Sequence, residues 1–286
     1  MSATTLPARR APIRLRVGFG EAAGFLLVGA MLLLMAMGEW IAPHSATAFN
    51  PMHTLEAPSF SFPFGTDEFG RDVFSRVLAG ARPTLLLAIS AAALGVVLGT
   101  VTGLTAGYRP GAVDETIMRV MDALMSFPGL ILAMLVVVML GPAAINVVTA
   151  IALVFWPRSA RLVRAVVVDL AQREFIEAAR SRGETSRFIL FRELLPNVLP
   201  IIVVDFSLRV TSGILLAASL AYLGIGVTPP TPAWGLMVRD GQQFIEIAPW
   251  LVVWPCLAIA LASIGTVLLG ERLRHKLALP GGGRAR

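Results

Sequence analysis

Residues 173–200, with the sequence REFIEAARSRGETSRFILFRELLPNVLP, interrupt a largely apolar chain with many charged side chains. Apolar segments long enough to cross a bilayer lie on both sides of this stretch. Charged side chains at this density are too costly to place in hydrocarbon. We therefore predict a structured loop that faces water between two membrane-spanning segments.

The local chemistry of this stretch predicts a helix, a turn and a second helix. Residues 173–182 contain good helix formers, with apolar residues at spacings of three and four. Gly183 follows the last basic residues, at a position where helices commonly end in a left-handed conformation. Thr185 or Ser186 is then placed to cap a second helix, and we expect Pro196 to interrupt that helix before the next apolar run.

The tripeptide Glu177-Ala178-Ala179 lies within the first predicted helix. Its two alanines leave a nearly bare backbone on one face, which would let another protein approach closely. The basic residues that flank this patch are Arg180, Arg182 and Arg187. The simpler alternative is an ordinary positively charged cytoplasmic loop.

The spacing of these residues resembles the EAA loop of ABC importer permeases. Three residues separate the tripeptide from Gly183, and Leu195-Pro196 follows at the distance found in that family. Glu193 departs from the pattern, which has an apolar residue there, and leaves the register of the second helix open. In the family this loop docks into a groove of an ATP-binding subunit and transmits its motion. The ATPase-coupling residues that the resemblance implies are Glu177, Ala178, Ala179, Gly183, Leu195 and Pro196.

The composition is that of an integral membrane protein. Apolar residues make up 56% of the chain and charged residues 15%, compared with about 25% charged in an average soluble domain. Mean hydropathy is +0.76. The net charge of +6 is carried by arginines clustered between apolar runs, so we do not expect a nucleic-acid partner. With a single cysteine, Cys256, an intrachain disulfide is excluded, and the three histidines show no metal-ligand spacing.

The hydropathy pattern predicts an all-α protein with six transmembrane helices. The expected spans are 22–38, 83–107, 119–140, 143–164, 197–225 and 250–270. A secretory signal peptide is the rival interpretation of the first span, but its apolar run is long and further spans follow. The family resemblance implies the type I importer permease fold, with a cytoplasmic coupling-helix loop at 165–196. The predicted organisation is a cytoplasmic basic tail at 1–20, the first helix and an external loop at 21–82, the importer transmembrane domain at 83–271 and a cytoplasmic tail at 272–286.

Residues 65–76, GTDEFGRDVFSR, form a second distinctive segment. Thr66 or Asp67 is placed to cap a short amphipathic helix that lies against the membrane surface and leads into the second span. The segment is similar to the dipeptide, oligopeptide and nickel subfamily of ABC permeases, and particularly to the C-type subunit of the permease pair. Residues 229–235, PPTPAWG, resemble the same subfamily.

The distribution of basic residues predicts the orientation of the chain. With the N-terminus inside, segments facing the cytoplasm carry 19 of the 24 lysines and arginines, and outer segments carry four. Because cytoplasmic loops are enriched in these residues, we expect both termini and the EAA-like loop on the cytoplasmic side of a bacterial or archaeal cytoplasmic membrane.

Charged residues within the predicted spans are candidates for the translocation path. Arg158, Arg161 and Arg164 recur at intervals of three, which suits either snorkelling at the cytoplasmic interface or a basic mouth of the path. Asp205 and Arg209, four apart, can form a structural ion pair or line the pore. The candidate path residues are Arg158, Arg161, Asp205 and Arg209.

The chain lacks the motif needed to hydrolyse ATP as a P-loop enzyme. That motif needs a lysine followed by serine or threonine, whereas the only lysine, Lys276, is followed by leucine. No catalytic constellation is visible, so we expect a transport subunit rather than an enzyme, with no cofactor bound by this chain.

The resemblance implies a subunit of an ATP-driven importer of di- or oligopeptides. The implied partners are a second permease in a heterodimer, two ATP-binding subunits that carry ATP and magnesium, an extracytoplasmic solute-binding protein and the lipid bilayer. Nickel chelates or glutathione are alternative cargoes. A secondary transporter without ATPase partners is the alternative of another class, and in it Asp122, Asp205 and Arg209 would be coupling charges.

Overall fold

The computed structural model describes residues 19–278, in which nearly all regular structure is helical. The predicted tails, 1–20 and 272–286, therefore lie largely outside the described residues. The helices are α1 (Phe19–Ile41), α2 (Val73–Tyr108), α3 (Ala112–Met125), α4 (Gly129–Leu140), α5 (Ala144–Leu170), α6 (Glu174–Ser181), α7 (Ser186–Phe188), α8 (Leu195–Tyr222), α9 (Trp234–Gln242) and α10 (Trp250–Ala278). A π-helical segment, Ile189–Leu194, joins α7 to α8.

The predicted count of six spans is not confirmed. Among residues 19–278, four helical segments are long and apolar enough to cross a membrane, namely Gly24–Ile41, Val73–Tyr108, Ser186–Tyr222 and Trp250–Arg274. The pair α3 and α4 would be a fifth, although its two halves are bent by 89°. The 27 residues of α5 span about 40 Å, but arginines and an aspartate occupy its second half.

The bend between α3 and α4 changes the predicted span at 119–140. A helix is disfavoured at Phe127 because the ring of Pro128 crowds the backbone before it. Pro128 instead stands before α4 as its N-cap, and its carbonyl accepts a hydrogen bond of 2.9 Å from Leu132 N–H. The third apolar run therefore forms two short helices rather than one straight helix.

The structure also differs from the prediction at the start of the second span. The expected lead-in helix is the first part of α2, which continues through Pro83 without a break. Its cap is Asp72, rather than Thr66 or Asp67, and accepts hydrogen bonds from Phe74 and Ser75 N–H. This part of α2 is buried beneath other helices instead of lying on the membrane surface.

A stripe of small residues brings α2 into direct contact with α5. Gly95, Gly99 and Gly103 recur every four residues, and a stripe of such small residues permits close helix packing. In the structure, a Cβ on any of them would overlap backbone or side-chain atoms of α5, and Gly107 extends the stripe. The stripe is therefore the face on which α2 packs against α5.

Replacing Gly99 by leucine is expected to destabilise the chain by about 1–3 kcal/mol or more, the cost of overpacking a tight site. Even a methyl group there would collide with Ser159 and lie 2.9 Å from the backbone nitrogen of Ala160. The measurement is thermal unfolding in detergent. Gly29→Leu is the matched control, because a Cβ at this helical glycine meets no atom within 4 Å. Equal unfolding temperatures for the two variants would contradict the packing role.

Three apolar clusters hold the helices together. The first lies among α1, α2, α8, α9 and α10, and the second among α2, α4, α5 and α8. The third lies under the charged loop and joins the ends of α2 and α5 to α6, the π-helical segment and the start of α8. The loop is therefore packed onto two long helices.

Candidate functional site

The charged stretch folds as the predicted helix, turn and helix. One face of its first helix, α6, is buried against the long helices. Ile176 and Ala179, three apart on α6, are fully buried in the third cluster. Glu177 and Ala178 face outward and are exposed. The prediction that Ala178 and Ala179 both present bare backbone to a partner is therefore correct for Ala178 only. A spacing of three places Ala179 on the inner face with Ile176.

The turn after α6 has the expected left-handed glycine. Gly183 has φ of +78°, and its N–H bonds to Arg180 O at 2.9 Å while Glu184 N–H bonds to Ala179 O at 3.2 Å. These two bonds form a Schellman motif. A Cβ at Gly183 would meet no atom within 4 Å, so substitution costs conformational energy alone, about 1–2 kcal/mol for an ordinary residue.

The second helix of the loop begins as predicted and continues differently. The hydroxyl oxygen of Thr185 accepts a hydrogen bond of 3.3 Å from Phe188 N–H and so caps α7. The expected interruption at Pro196 is wrong, because this residue lies in the first turn of α8 and the helical path runs on. Proline is tolerated in a first helical turn, where its missing N–H is not needed.

The π-helical segment determines the register of the second helix of the loop, which the departure from the family pattern at Glu193 leaves open. Ile189 and Leu194 are both buried although they are five residues apart. An α-helix would turn one of them away, whereas a π-turn, with its i→i+5 bonds, places residues five apart close to one face. Glu193 then points outward, and its carboxylate lies 3.8 Å from the Arg182 guanidinium.

Arg180 and Arg182 contact other side chains within residues 19–278. Arg180 lies over the ring of Tyr108, 5.2 Å from its centroid, and Arg182 contacts both Glu184 and Glu193. The Arg180 contact joins the loop to the end of α2, and the Arg182 contacts join two parts of the loop. The outward-facing residues of α6 around Glu177 include the apolar Phe175 and Ala178, and Arg173 and Arg180 are exposed beside them.

The three arginines of α5 have different surroundings. Arg161 pairs with Asp122 of α3. Arg164 binds Asp114 of α3 through two hydrogen bonds, of 2.5 and 2.6 Å. Within residues 19–278, Arg158 makes neither an ion pair nor a hydrogen bond with another side chain, and it is exposed.

Asp205 and Arg209 form the ion pair that their spacing permits. The Asp205 side chain is only 2% exposed and accepts hydrogen bonds from Arg209 at 2.9 and 3.1 Å. The hydroxyl of Ser159 donates to the other carboxylate oxygen at 2.5 Å. The pair therefore ties α8 to α5 at the level of the glycine stripe.

Two neighbouring pockets that are open to the surface lie along α8. The first, about 320 Å³, is lined by α4, α5 and α8 and includes Arg158. The second, about 370 Å³, continues toward α9 and α10 and shares Leu130, Leu215 and Ser219 with the first. We call these two neighbouring open pockets together the α8 channel. Arg161, Asp205 and Arg209 do not line it.

A buried charge cluster lies in the 65–76 segment, and sequence reasoning missed it. Asp67 binds Arg71 at 2.6 Å and lies 3.4 Å from Arg76, and all three side chains are buried. Glu68 and Asp240 flank the cluster, and burial raises the pKa of both carboxyl groups above the usual range. The opposite charges of Asp67 and Arg71, four residues apart, are the signal in the sequence, whereas Asp67 is predicted from the sequence only as a helix cap.

Over most of its length the chain is similar to proteins named as transport system permeases. It is 39% identical over 254 residues to the dipeptide transport system permease protein DppC of Alkalihalophilus pseudofirmus, covering 89% of this chain and 84% of that one. It is 43% identical over 253 residues to the glutathione transport system permease protein GsiD of Escherichia coli, covering 88% and 84%.

The fold is also found in a solved transporter. A chain of the MetNI methionine ABC transporter in an inward-facing conformation superimposes with a TM-score of 0.58 at 20% identity, covering 70% of this chain and 95% of that one. The family model described as binding-protein-dependent transport system inner membrane component matches residues 95–278. The chain therefore belongs to the family of inner membrane components of binding-protein-dependent transport systems.

Proposed function

We propose that this chain is one of two permease subunits in an ATP-driven importer of di- or oligopeptides. The observation that carries the proposal is the loop from α6 to α8, which exposes Glu177 and Ala178 while its other face is packed on the long helices. The names of the relatives, dipeptide and glutathione permeases at 39–43% identity, support a peptide cargo.

The packing of α6 supplies a route from an ATPase to the α8 channel. Ile176 and Ala179 share one cluster with Val163 and Val167 of α5 and with Val198 of α8. Because packed interiors transmit displacement instead of absorbing it, a push on α6 moves α5 and α8 together. Both helices line the α8 channel, so this movement would open or close it.

The proposed assembly contains a second permease, two ATP-binding subunits that carry ATP and magnesium, and an extracytoplasmic solute-binding protein. The excess of basic residues in alternate segments supports cytoplasmic termini and a cytoplasmic loop. In this orientation Glu177, Ala178, Gly183 and the start of α8 around Leu195-Pro196 face the ATPases.

The test is purification of the tagged chain from mildly solubilised membranes, followed by reconstitution of whatever accompanies it. The proposal predicts a second permease, one or two P-loop ATPases and ATP-dependent uptake when a loaded binding protein is supplied. Uptake of a dipeptide, glutathione and a nickel chelate by the same vesicles identifies the cargo. A chain that purifies alone and moves solute without ATP would instead establish a secondary transporter.

A further inference from the structure

Arg158 differs from its neighbours in having an uncompensated charge. The Arg161 and Arg164 guanidiniums are neutralised by carboxylates of α3, and Arg209 by Asp205. No carboxylate pairs with Arg158 in the part of the chain that the structure describes. Its guanidinium therefore keeps five donors available for a ligand.

The position of Arg158 argues against contact with lipid. It lies 14 residues beyond Ala144, or about 21 Å along α5, so an α5 that entered a hydrocarbon core about 30 Å thick at Ala144 would still hold Arg158 inside that core. A guanidinium at this depth is costly unless it faces water or a polar partner. The first cavity of the α8 channel is the space beside it.

The wall opposite Arg158 offers hydrogen-bond acceptors. Ser212 and Ser219 project from α8 into the channel, and their hydroxyls donate to the carbonyls of Leu208 at 3.1 Å and Leu215 at 2.8 Å. With its only proton engaged, each hydroxyl keeps lone pairs that accept from a ligand N–H. Apolar side chains, Leu130 and Leu216 among them, fill the remaining wall.

We propose that Arg158 binds the carboxylate of the transported peptide in the α8 channel, while Ser212 and Ser219 accept hydrogen bonds from its N–H groups. A cation unpaired among residues 19–278, separate acceptors and apolar walls together match a small zwitterion with apolar side chains. Arginine suits a carboxylate because its planar donors form two parallel bonds. The inference rests on the proposed importer and adds the group that recognises the cargo inside the membrane.

The test compares Arg158→Gln, Arg158→Lys and Arg161→Gln in the whole reconstituted importer, with uptake normalised to assembled complex. Arg158→Gln is expected to lower uptake of a free-acid peptide by about tenfold to a hundredfold, the worth of one hydrogen bond to a charged group. Arg158→Lys keeps the charge and should retain part of the uptake. Arg161→Gln, whose residue faces Asp122 and not the channel, should lose far less.

A second measurement tests binding of the peptide carboxylate by Arg158 without requiring transport. Ser212→Cys, in a Cys256→Ser chain, is labelled with an anionic and with a neutral thiol reagent of similar size. The free-acid peptide should slow labelling more than its C-terminal amide, and Arg158→Gln should remove this difference.

The outcomes separate the two proposals. If the unmodified importer moves no peptide with ATP, the proposed function is wrong. If it does, and Arg158→Gln transports the free acid at a normal rate or free acid and amide protect Ser212→Cys equally, Arg158 does not bind the carboxylate. Equal loss in Arg158→Gln and Arg161→Gln would assign Arg158 to packing or to the second permease.

Discussion

Replacing Glu177 by lysine is expected to lower ATP-dependent peptide uptake by about tenfold or more. The lysine would place a positive charge where the ATP-binding subunit is expected to receive a carboxylate, and juxtaposed like charges at a docking surface cost several kcal/mol. Glu177 is exposed on α6 and has no ion pair within residues 19–278. The substitution therefore leaves the packing of Ile176 and Ala179 intact and acts on the partner. The measurement is uptake together with binding-protein-stimulated ATP hydrolysis in proteoliposomes.

Glu115→Lys is the matched control, since Glu115 is also exposed on a short helix at the end of a long one, but lies outside the loop. Both variants should insert and purify in equal amounts. Normal uptake by Glu177→Lys, or an equal loss in Glu115→Lys, would contradict the proposal that the loop docks onto the ATP-binding subunit.

Replacing Asp67 by alanine is expected to destabilise the chain by about 3–5 kcal/mol, the cost of leaving a buried charge without its partner. Asp67 contacts both Arg71 and Arg76, and its other oxygen accepts from the N–H groups of Phe69 and Arg71 at 2.9 Å. The change leaves two buried guanidiniums short of counter-charge and releases the turn before α2.

The measurement is the unfolding temperature of the purified chain in detergent, with Glu39→Ala as control. Glu39 lies 3.9 Å from Arg82 in a pair whose side chains are both more than half exposed, and such surface pairs contribute about 0–1 kcal/mol. Similar unfolding temperatures for Asp67→Ala and Glu39→Ala would show that the cluster does not hold the external segment.

Features governed by local chemistry were predictable from the sequence. Gly183 ends α6 because only its backbone conformation lets the two closing bonds form, and Thr185 caps the next helix as its side chain requires. The spacing of four between Gly95, Gly99 and Gly103 is likewise visible in the sequence, although it does not identify α5 as the neighbour.

Features governed by tertiary packing were not predictable. The burial of Ala179 and the π-turn at Ile189–Leu194 depend on the surface that α5 and α8 present to the loop. Pro83 does not break α2, since buried contacts along the whole helix outweigh one missing hydrogen bond. The difference between Arg158 and Arg161 depends on where α3 packs against α5, because Asp122 lies beside only Arg161.

The measurement that tests the coupling loop most directly is crosslinking from two adjacent alanines. In a Cys256→Ala chain within the assembled complex, a benzophenone thiol reagent is attached at Ala178→Cys or Ala179→Cys. Ala178 is exposed, whereas Ala179 is fully buried. We expect the Ala178 site to crosslink to an ATP-binding subunit, with a yield that changes on adding ATP, and the Ala179 site to remain unlabelled. Efficient labelling at Ala178 without any crosslink to an ATP-binding subunit would contradict the proposed coupling role.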